Sequence, residues 1–384
     1  MMFHRFIQVF MPACFLQSAT YGLTFLLPDL VASIGGTTGD VGAVLGGSAL
    51  VTLVVVLFLG ALTKRAGFML PLAGSGVVCA ASLALFATAS SVGAQIYIAG
   101  ALLGLGWGVF YVLGPITLAQ VLTSDRRVVY FTWMSTFVIA GIGVGPVIGY
   151  VIGVPQAFWF VAVSCLVCAA IFAALRPSMA GLRVTKADVE SDLSLRTGLQ
   201  VLRSPAWRPI VMVGLGGAVF AAISNFQTVY ADANGQSYAL FFLAYTVTVI
   251  VGRLAMARMI SAWVPYGVIA GLMGVMTLAV GVLSLQSTHL TLYLLASVLF
   301  GVGYGVAYPI VKAMAANDAR PDLTAATLQM FGLSYFVGIF GFPFLAGEVI
   351  DAAGFGVLLI IAVILSMMEG ALAYTRWRRD TRAA

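Results

Sequence analysis

The stretch GLGWGVFY, Gly104–Tyr111, occurs again 197 residues later as GVGYGVAY, Gly301–Tyr308. The same offset brings further identical residues into register: Asp125 with Asp322, Gly141 with Gly338, Ile142 with Ile339 and Pro146 with Pro343. Because glycine is abundant in this chain, the glycine matches alone carry little weight, whereas a shared register of Tyr, Asp and Pro indicates an internal repeat. The sequence therefore predicts two homologous halves.

The composition decides what kind of halves these are. Of the 384 residues, 61% are hydrophobic and only 8% are charged, whereas soluble globular proteins carry about 25% charged residues. The apolar runs continue for about 20 residues without alternation, which is the length of a membrane-spanning helix and not the pattern of a barrel strand. Helices satisfy their backbone polar groups internally, as lipid requires. The sequence predicts an all-α membrane protein.

Twelve transmembrane helices fit the apolar runs, arranged as two pseudo-symmetric six-helix bundles. The spans lie near residues 5–32, 40–63, 67–89, 93–122, 128–152, 156–176, 207–232, 238–260, 263–286, 290–315, 323–348 and 353–375. The N-terminal bundle is predicted over 1–176 and the C-terminal bundle over 207–384.

Residues 177–206 hold the one long polar stretch and are predicted to be a cytoplasmic linker between the bundles. In its later part a helical spacing is shared by Leu195, Leu199 and Leu202, with Arg196 and Arg203 beside them. This pattern is typical of an amphipathic helix lying on a membrane surface. A solvated, charged linker is the alternative.

The basic residues give the orientation. With the N-terminus placed in the cytoplasm, they all fall on one side of the membrane, in seven clusters: Arg5; Lys64 and Arg65; Arg126 and Arg127; the group from Arg176 to Arg208; Arg253 and Arg258; Lys312 and Arg320; and Arg376 to Arg382. Because cytoplasmic loops are enriched in Lys and Arg, this pattern predicts an even number of spans, two cytoplasmic termini and a multi-pass protein of the cell inner (cytoplasmic) membrane. It also explains the net charge of +6 without a nucleic-acid partner.

Motifs for catalysis and cofactor binding do not assemble in this sequence. The GxGxG strings lie inside apolar spans, with no strand before them and no Lys-Ser or Lys-Thr after them, which excludes a nucleotide-binding loop. Cys165 and Cys168 form a CxxC without a second ligand pair, so packing is our interpretation and a metal site the alternative. His4 and His289 are the only histidines and fall on opposite faces, so no histidine-based site forms. We expect no enzyme, no cofactor and no metal.

Residues 141–150, GIGVGPVIGY, form the most specific motif. Gly141, Gly145 and Gly149 leave one helix face without side chains, so that another helix can approach closely, and Pro146 removes a backbone hydrogen bond. The string resembles motif C in the fifth span of the antiporter branch of the major facilitator superfamily. This resemblance covers the whole chain and implies two six-span halves that rock to open a central site to each side in turn.

The chain departs from that family in three places. The loop between the second and third spans, GALTKRAG from Gly60 to Gly67, has Lys64 where relatives have the Asp of GxLxDRxG, and the second copy of the loop has Met256 there. The acid that latches the inner gate in relatives is therefore absent from both copies. Gly100 stands where antiporters have a buried Arg, so their usual proton relay does not carry over to this sequence.

The resemblance implies that the first, fourth, seventh and tenth spans surround the centre, and polar or aromatic residues on these spans are the candidates for substrate binding. They are Gln17, Tyr21, Thr24, Trp107, Tyr111, Asn225, Thr228, Ser297, Tyr304 and Tyr308. Each of them alone is also explained as a satisfied polar residue of a bundle interior. As a set they are aromatic, amide-rich and uncharged, which predicts a neutral, zwitterionic or amphiphilic molecule and argues against an organic phosphate.

Charges within the bilayer cost about 2.5–3.5 kcal/mol or more and are functional candidates by default. Asp29 and Asp232 near the outer ends of the first and seventh spans, together with Glu369 in the twelfth, are predicted to couple protons. Interfacial solvation and, for Glu369, pairing with a cytoplasmic Arg are the alternatives. Arg253 is predicted either to snorkel to the surface or to clamp a gate, and Pro343 repeats the bend of the fifth span in the eleventh.

Together these features predict a monomeric secondary active transporter that exports a small molecule in exchange for protons. An importer or facilitator of a small nutrient or siderophore is the alternative. A membrane sensor or scaffold is a more distant alternative, because it would need a sizeable soluble domain that this sequence does not offer. The expected partners are the substrate, protons and the lipid bilayer.

Overall fold

The structure, a computed structural model, describes residues 2–122, 124–179, 195–256, 265–286 and 288–383. Over these ranges the chain is helical and contains no strand, which confirms the all-α fold class. Twelve of the described helical segments are long and apolar enough to cross a membrane, the number predicted from the sequence. The chain divides into two compact units, Met1–Glu190 and Ser191–Ala384.

The first unit begins with a span built from two helices. Its described α-helices, α1 to α7, are Met2–Gly22, Leu27–Ser33, Thr38–Ala66, Met69–Ala87, Ala94–Val121, Ser124–Ile152 and Val154–Ala174. A 3-10 turn, Leu23–Leu26, joins α1 to α2, and Pro28 stands in the first turn of α2, where its missing N–H breaks no intrahelical bond. Thr37 and Asp40 then start α3 with a reciprocal capping box.

Glycines set the distance between helices in this unit. A Cβ on Gly141 of α6 would lie 2.2 Å from the Phe15 carbonyl oxygen of α1, and one on Gly145 would lie 2.9 Å from the Gly22 Cα. On α5, a Cβ at Gly104 would lie 2.2 Å from the Ser48 carbonyl oxygen of α3. Because these atoms belong to backbone, no side chain fits at these three positions unless a helix moves.

The second unit repeats this plan with two irregular turns. Its described α-helices, α8 to α17, are Leu195–Leu202, Trp207–Asn225, Gln227–Ala233, Tyr238–Met256, Pro265–Leu283, Leu290–Phe300, Val306–Asp318, Thr324–Phe336, Phe342–Ala353 and Phe355–Ala383. Short π-helical segments join α13 to α14, at Gly301–Gly305, and α15 to α16, at Val337–Gly341. The matching stretches of α5 and α6 are plain α-helix. The two units therefore share a topology and differ in local geometry, because a π segment widens one helical turn.

Half of the predicted linker, residues 180–194, lies outside the described residues, so the predicted limits 1–176, 177–206 and 207–384 stay predictions. Its later part is helix α8. Val201 of α8 is fully buried, whereas Leu199 and Leu202 are 54% and 45% exposed. One face of α8 thus packs on its own unit and the other presents leucines outward, as an amphipathic surface helix does.

We predict that Gly141→Ala lowers the melting temperature of the detergent-purified protein more than Gly74→Ala does. The new methyl group at Gly141 meets a backbone oxygen, and overpacking of this kind costs about 1–3 kcal/mol. Gly74 has no atom within 4 Å of its Cβ position, so alanine there is tolerated and favoured by helix propensity. Thermal unfolding followed by size-exclusion chromatography compares the two; equal melting temperatures would contradict the close contact of α1 with α6.

Candidate functional site

An aromatic cluster forms between α1 and α5 in the first unit. The rings of Tyr21 and Trp107 stack with centroids 5.1 Å apart, and Tyr111 lies 5.7 Å from Trp107, one turn further along α5. Gln17 lies one turn before Tyr21 and is buried. The i, i+4 spacing places each pair on one face of its helix. We call Gln17, Tyr21, Trp107 and Tyr111 the first aromatic cluster.

Two polar atoms of this cluster are buried without a hydrogen-bond partner in the described part of the chain. They are the Trp107 Nε1 and the Gln17 Oε1. The Gln17 Nε2 donates to the Cys79 Sγ at 3.2 Å. An unsatisfied buried polar group costs about 1–3 kcal/mol. The indole N–H and the amide oxygen are therefore a donor and an acceptor that a ligand can satisfy.

Thr24 lies in the 3-10 turn beyond Tyr21 and is 2% exposed. Its hydroxyl donates to the Tyr21 carbonyl oxygen at 2.7 Å. This bond stabilises the turn between α1 and α2. Thr24 therefore lies beside the first aromatic cluster, and its hydroxyl already donates a hydrogen bond within the turn.

A second aromatic cluster occupies the matching place in the second unit. Tyr304, the repeat of Trp107, stacks on Phe220 of α9 with centroids 4.6 Å apart. Tyr308 of α14 lies 4.9 Å from Tyr335 and 5.9 Å from Phe331, both on α15. Sequence reasoning selected the two tyrosines and missed their three partners. Phe220 was recoverable, because it lies one turn before Ser224 on a face that already carried polar candidates.

Polar residues surround the break between α9 and α10. Asn225 ends α9, Thr228 lies in the first turn of α10, and both are fully buried. The Thr228 Oγ1 has no hydrogen-bond partner among the described residues. Gln227, which sequence reasoning also missed, donates from Nε2 to the Tyr293 hydroxyl at 2.8 Å while its Oε1 has no described partner. Ser297 differs, since its hydroxyl donates to the Phe241 carbonyl oxygen at 2.6 Å and ties α13 to α11.

Arg253 contacts a backbone carbonyl freed by a proline. Pro309 lies four residues after Gly305 and has no N–H to donate to the Gly305 carbonyl oxygen. The Arg253 Nε donates to this oxygen at 2.8 Å. Of the two sequence interpretations, snorkelling and clamping, the geometry matches a clamp between α11 and the start of α14. A role in gating stays a prediction.

The predicted packing residues lie where helices meet or change geometry. Gly141 and Gly145 contact α1 as described above, and a Cβ on Gly149 would lie 2.2 Å from the Leu26 Cδ1. Pro146 lies inside α6. Pro343 is buried in the first turn of α16, directly after a π segment.

The three predicted proton-coupling carboxyls have different surroundings. Asp232 is exposed at the end of α10, and Asp29 is half-buried in α2. Glu369 of α17 is only 3% exposed, and its Oε2 has no hydrogen-bond partner in the described chain. No described Lys or Arg forms an ion pair with Glu369, so the alternative, pairing with a cytoplasmic Arg, is not found there. A buried carboxyl without a countercharge is costly.

Histidine, cysteine and acidic side chains do not gather into a metal site in the described ranges, where no group of three or more is placed to hold an ion. All four cysteines are free thiols buried in the first unit. The Cys168 thiol donates to the Ala13 carbonyl oxygen at 3.2 Å. The Thr20 hydroxyl and the Cys165 thiol share a hydrogen bond at 3.0 Å. Their contacts are those of packed interior residues.

Comparison with known proteins agrees with this architecture. Residues 9–343 match the family model of the Major Facilitator Superfamily. A search of curated proteins finds no match. Among solved structures, a mutant of the nucleoside transporter NupG has the same fold, with a TM-score of 0.75, 14% sequence identity and an alignment that covers 96% of this chain and 99% of that one. The chain belongs to the Major Facilitator Superfamily and is a membrane transporter.

Proposed function

We propose that this transporter moves a small neutral, zwitterionic or amphiphilic molecule with an aromatic or apolar body. The observation that carries the proposal occurs in both units: stacked aromatic rings and, in the same unit, a buried polar atom without a partner among the described residues. In the first unit these are the Tyr21–Trp107 stack and the Trp107 Nε1. In the second they are the Phe220–Tyr304 stack and, one helical break away, the Thr228 Oγ1. Rings bind a flat apolar body, and single donors or acceptors fix its orientation.

The charge of the two clusters limits the substrate further. None of their members is a Lys, Arg, Asp or Glu. A phosphate group in a dry site needs charge-assisted donors, and a dication needs carboxylates. Lys312, one turn beyond Tyr308 on α14, is exposed and is the cation closest to Tyr308 along the chain. This cation lies outside both clusters, so neither cluster offers a charged partner to a substrate.

For direction and coupling, we propose secondary active export in exchange for protons. Support comes from the motif-C-like residues 141–150, whose glycines contact α1 over two helical turns. The resemblance to the antiporter branch of this family rests on this motif, and this is the evidence for direction. The proposal places the protein in the cell inner membrane as a monomer, with both termini on the cytoplasmic side where its basic residues gather.

A second candidate is an importer or facilitator, and Gly100 favours it. Antiporters of the resembling branch have a buried Arg at this position. Here a Cβ on Gly100 would lie 2.8 Å from the Val44 carbonyl oxygen, and the Ser48 hydroxyl donates to the Gly100 carbonyl oxygen at 2.7 Å. Because α3 fills the space, an Arg does not fit, and proton exchange needs another titratable group.

The substrate class is tested by flux into proteoliposomes. We expect uptake of uridine or tryptophan, which are neutral and zwitterionic ring compounds, above protein-free vesicles. Glycerol 3-phosphate and the dication methyl viologen are expected to remain at background, because neither finds a countercharge in the clusters. Transport of glycerol 3-phosphate in preference to the other compounds would contradict the proposed substrate class.

Proton coupling is tested with the transported member of that panel. An imposed pH gradient is expected to drive its accumulation against a concentration gradient and to collapse when an ionophore removes the pH difference. A pH dye inside the vesicles should report proton movement in the opposite direction to substrate. Facilitated flux that ignores the pH gradient would select the facilitator instead.

Trp107→Phe is predicted to raise the KM for the transported compound about 2- to 10-fold. The substitution keeps the aromatic stack and removes the indole N–H, and one hydrogen bond contributes about 0.5–1.5 kcal/mol. Trp159→Phe is the matched control, since Trp159 lies on α7 and is 48% exposed. An unchanged KM in Trp107→Phe would remove the indole N–H from the binding site.

A further inference from the structure

Glu369 occupies a space that a glycine provides. Its Oε2 and Oε1 lie 2.8 Å and 3.2 Å from the position that a Cβ on Gly216 would take. Gly216 belongs to α9, and α17 packs on both α9 and α12. At 3% exposure the carboxyl is sealed between helices. Any larger residue at Gly216 would displace it.

The charged groups on the helices that pack around Glu369 lie about two turns or more away from it along the helix axes. On α17 itself Arg376 is seven residues away, about 10 Å at 1.5 Å per residue, and Tyr374 is five. On α12 the titratable group is Tyr266, whose ring lies 5.7 Å from the Arg376 guanidinium and therefore near that distant turn. Arg208 of α9 precedes Gly216 by eight residues, about 12 Å.

The remaining acidic groups on a packed helix belong to α16. They are Glu348 and Asp351, in the last two turns before α17 begins at Phe355. Glu369 follows Phe355 by fourteen residues, about 21 Å along the axis. Among the described residues of these helices, neither a cation that would stabilise a carboxylate nor a second acid lies within one helical turn of Glu369 along the axis. Burial without a countercharge favours the neutral carboxylic acid.

Other polar groups line the same face of α17. Ser366, one turn before Glu369, is fully buried, and its hydroxyl shares a hydrogen bond with the Thr277 hydroxyl of α12 at 2.9 Å. The contact between α12 and α17 thus continues the polar character of the Glu369 site by one turn. Hydroxyl groups of this kind can relay a proton or hold a water molecule.

The equivalent helix of the first unit, α7, shows what helix packing alone requires at this position. Gly153 and Gly354 adopt positive φ angles of 90° and 82° directly before α7 and α17, which sets an offset of 201 residues between these helices. The offset is consistent with side-chain contacts, because Gly370 meets Met273 as Ala169 meets Gly76. With this offset, Glu369 is equivalent to Cys168 and Ser366 is equivalent to Cys165.

In the first unit, therefore, neutral thiols fill the positions that a carboxylic acid and a hydroxyl fill in the second. Cys168 is fully buried and satisfied by a backbone oxygen. Helices with this arrangement pack without an acid. The carboxyl of Glu369 is an addition whose cost calls for a function other than packing.

We propose that Glu369 is the proton-binding site of this transporter, protonated in the conformation described here and deprotonated when α9 and α17 part enough to admit water. The proton passes from the carboxylic acid to water and leaves a carboxylate. Gly216 lies one turn before Phe220, the ring that stacks on Tyr304, so a shift of α9 acts on the proton site and the second aromatic cluster together. This inference rests on the proposed proton coupling.

Glu369→Gln mimics the neutral acid and tests the site in proteoliposomes with the transported compound, uridine or tryptophan. We expect at least a tenfold loss of accumulation driven by a pH gradient and retention of substrate exchange at equal pH. Glu348→Gln, an exposed Glu on α16, is the matched control and should keep full coupling. Wild-type protein that ignores the gradient would refute the proposed coupling, whereas coupled wild type together with coupled Glu369→Gln would overturn the assignment of Glu369.

Asp29→Asn and Asp232→Asn belong in the same assay. Loss of coupling in one of them, with coupling intact in Glu369→Gln, would move the proton site to that residue. A chemical measurement is independent of flux: a lipid-soluble carbodiimide adds to protonated carboxyls in apolar surroundings. We expect mass spectrometry to find the adduct on Glu369 and to find less of it as pH rises. An unmodified Glu369 at low pH would overturn the proposal.

Discussion

The close approach of helix backbones at glycine is the contact on which the other features depend. In lipid, helices gain no hydrophobic energy by associating, so they are held by van der Waals contact and by hydrogen bonds between them. At Gly141 and Gly104 the missing side chain brings a carbonyl oxygen of the neighbouring helix within 2.2 Å of the Cβ position. This approach lets the Ser48 and Thr52 hydroxyls reach carbonyl oxygens of α5 at 2.7 and 2.8 Å. The small residues at these helix contacts also leave room for the stacked rings of Tyr21 and Trp107.

Proline modifies this packing by freeing carbonyl groups for contacts between helices. Pro309 leaves the Gly305 oxygen without its helical donor, and Arg253 supplies one from α11. A charged side chain within a span thereby gains a backbone acceptor. The Gly305 carbonyl belongs to the last residue of the π segment Gly301–Gly305, so the widened turn, the freed carbonyl and the arginine form one local unit. Such irregular turns are frequent where helices carry function.

The sequence was sufficient to predict the fold and to select several residues of the two aromatic clusters. Hydropathy and the basic clusters predicted twelve spans, and the repeat identified Trp107 and Tyr304 as matching aromatic positions. Helical periodicity tells which face of a helix a residue occupies, but not which neighbouring helix covers that face. The partners Phe220, Tyr335 and Phe331 were missed for this reason, and Ser297 was assigned to substrate although its hydroxyl joins two helices. The alternative for Glu369, pairing with a cytoplasmic Arg, is not found among the described residues, because periodicity does not show how deeply a side chain is buried.

Features that only one of the two units has indicate which residues serve function and are not required by the shared topology. The first unit has regular α-helices and buried thiols at positions where the second has π segments, a buried hydroxyl and a buried acid, and the second unit also has the Arg253 contact. Since both units reach the same topology, these additions are not needed for folding. They lie on the two π segments, α11 and α17; Tyr304 belongs to the π segment Gly301–Gly305 and Glu369 to α17. A single helix, α9, contacts the proposed proton site through Gly216 and the proposed substrate site through Phe220, four residues apart. One rigid turn of helix is thus enough to link the two sites, because neither can move without displacing the other.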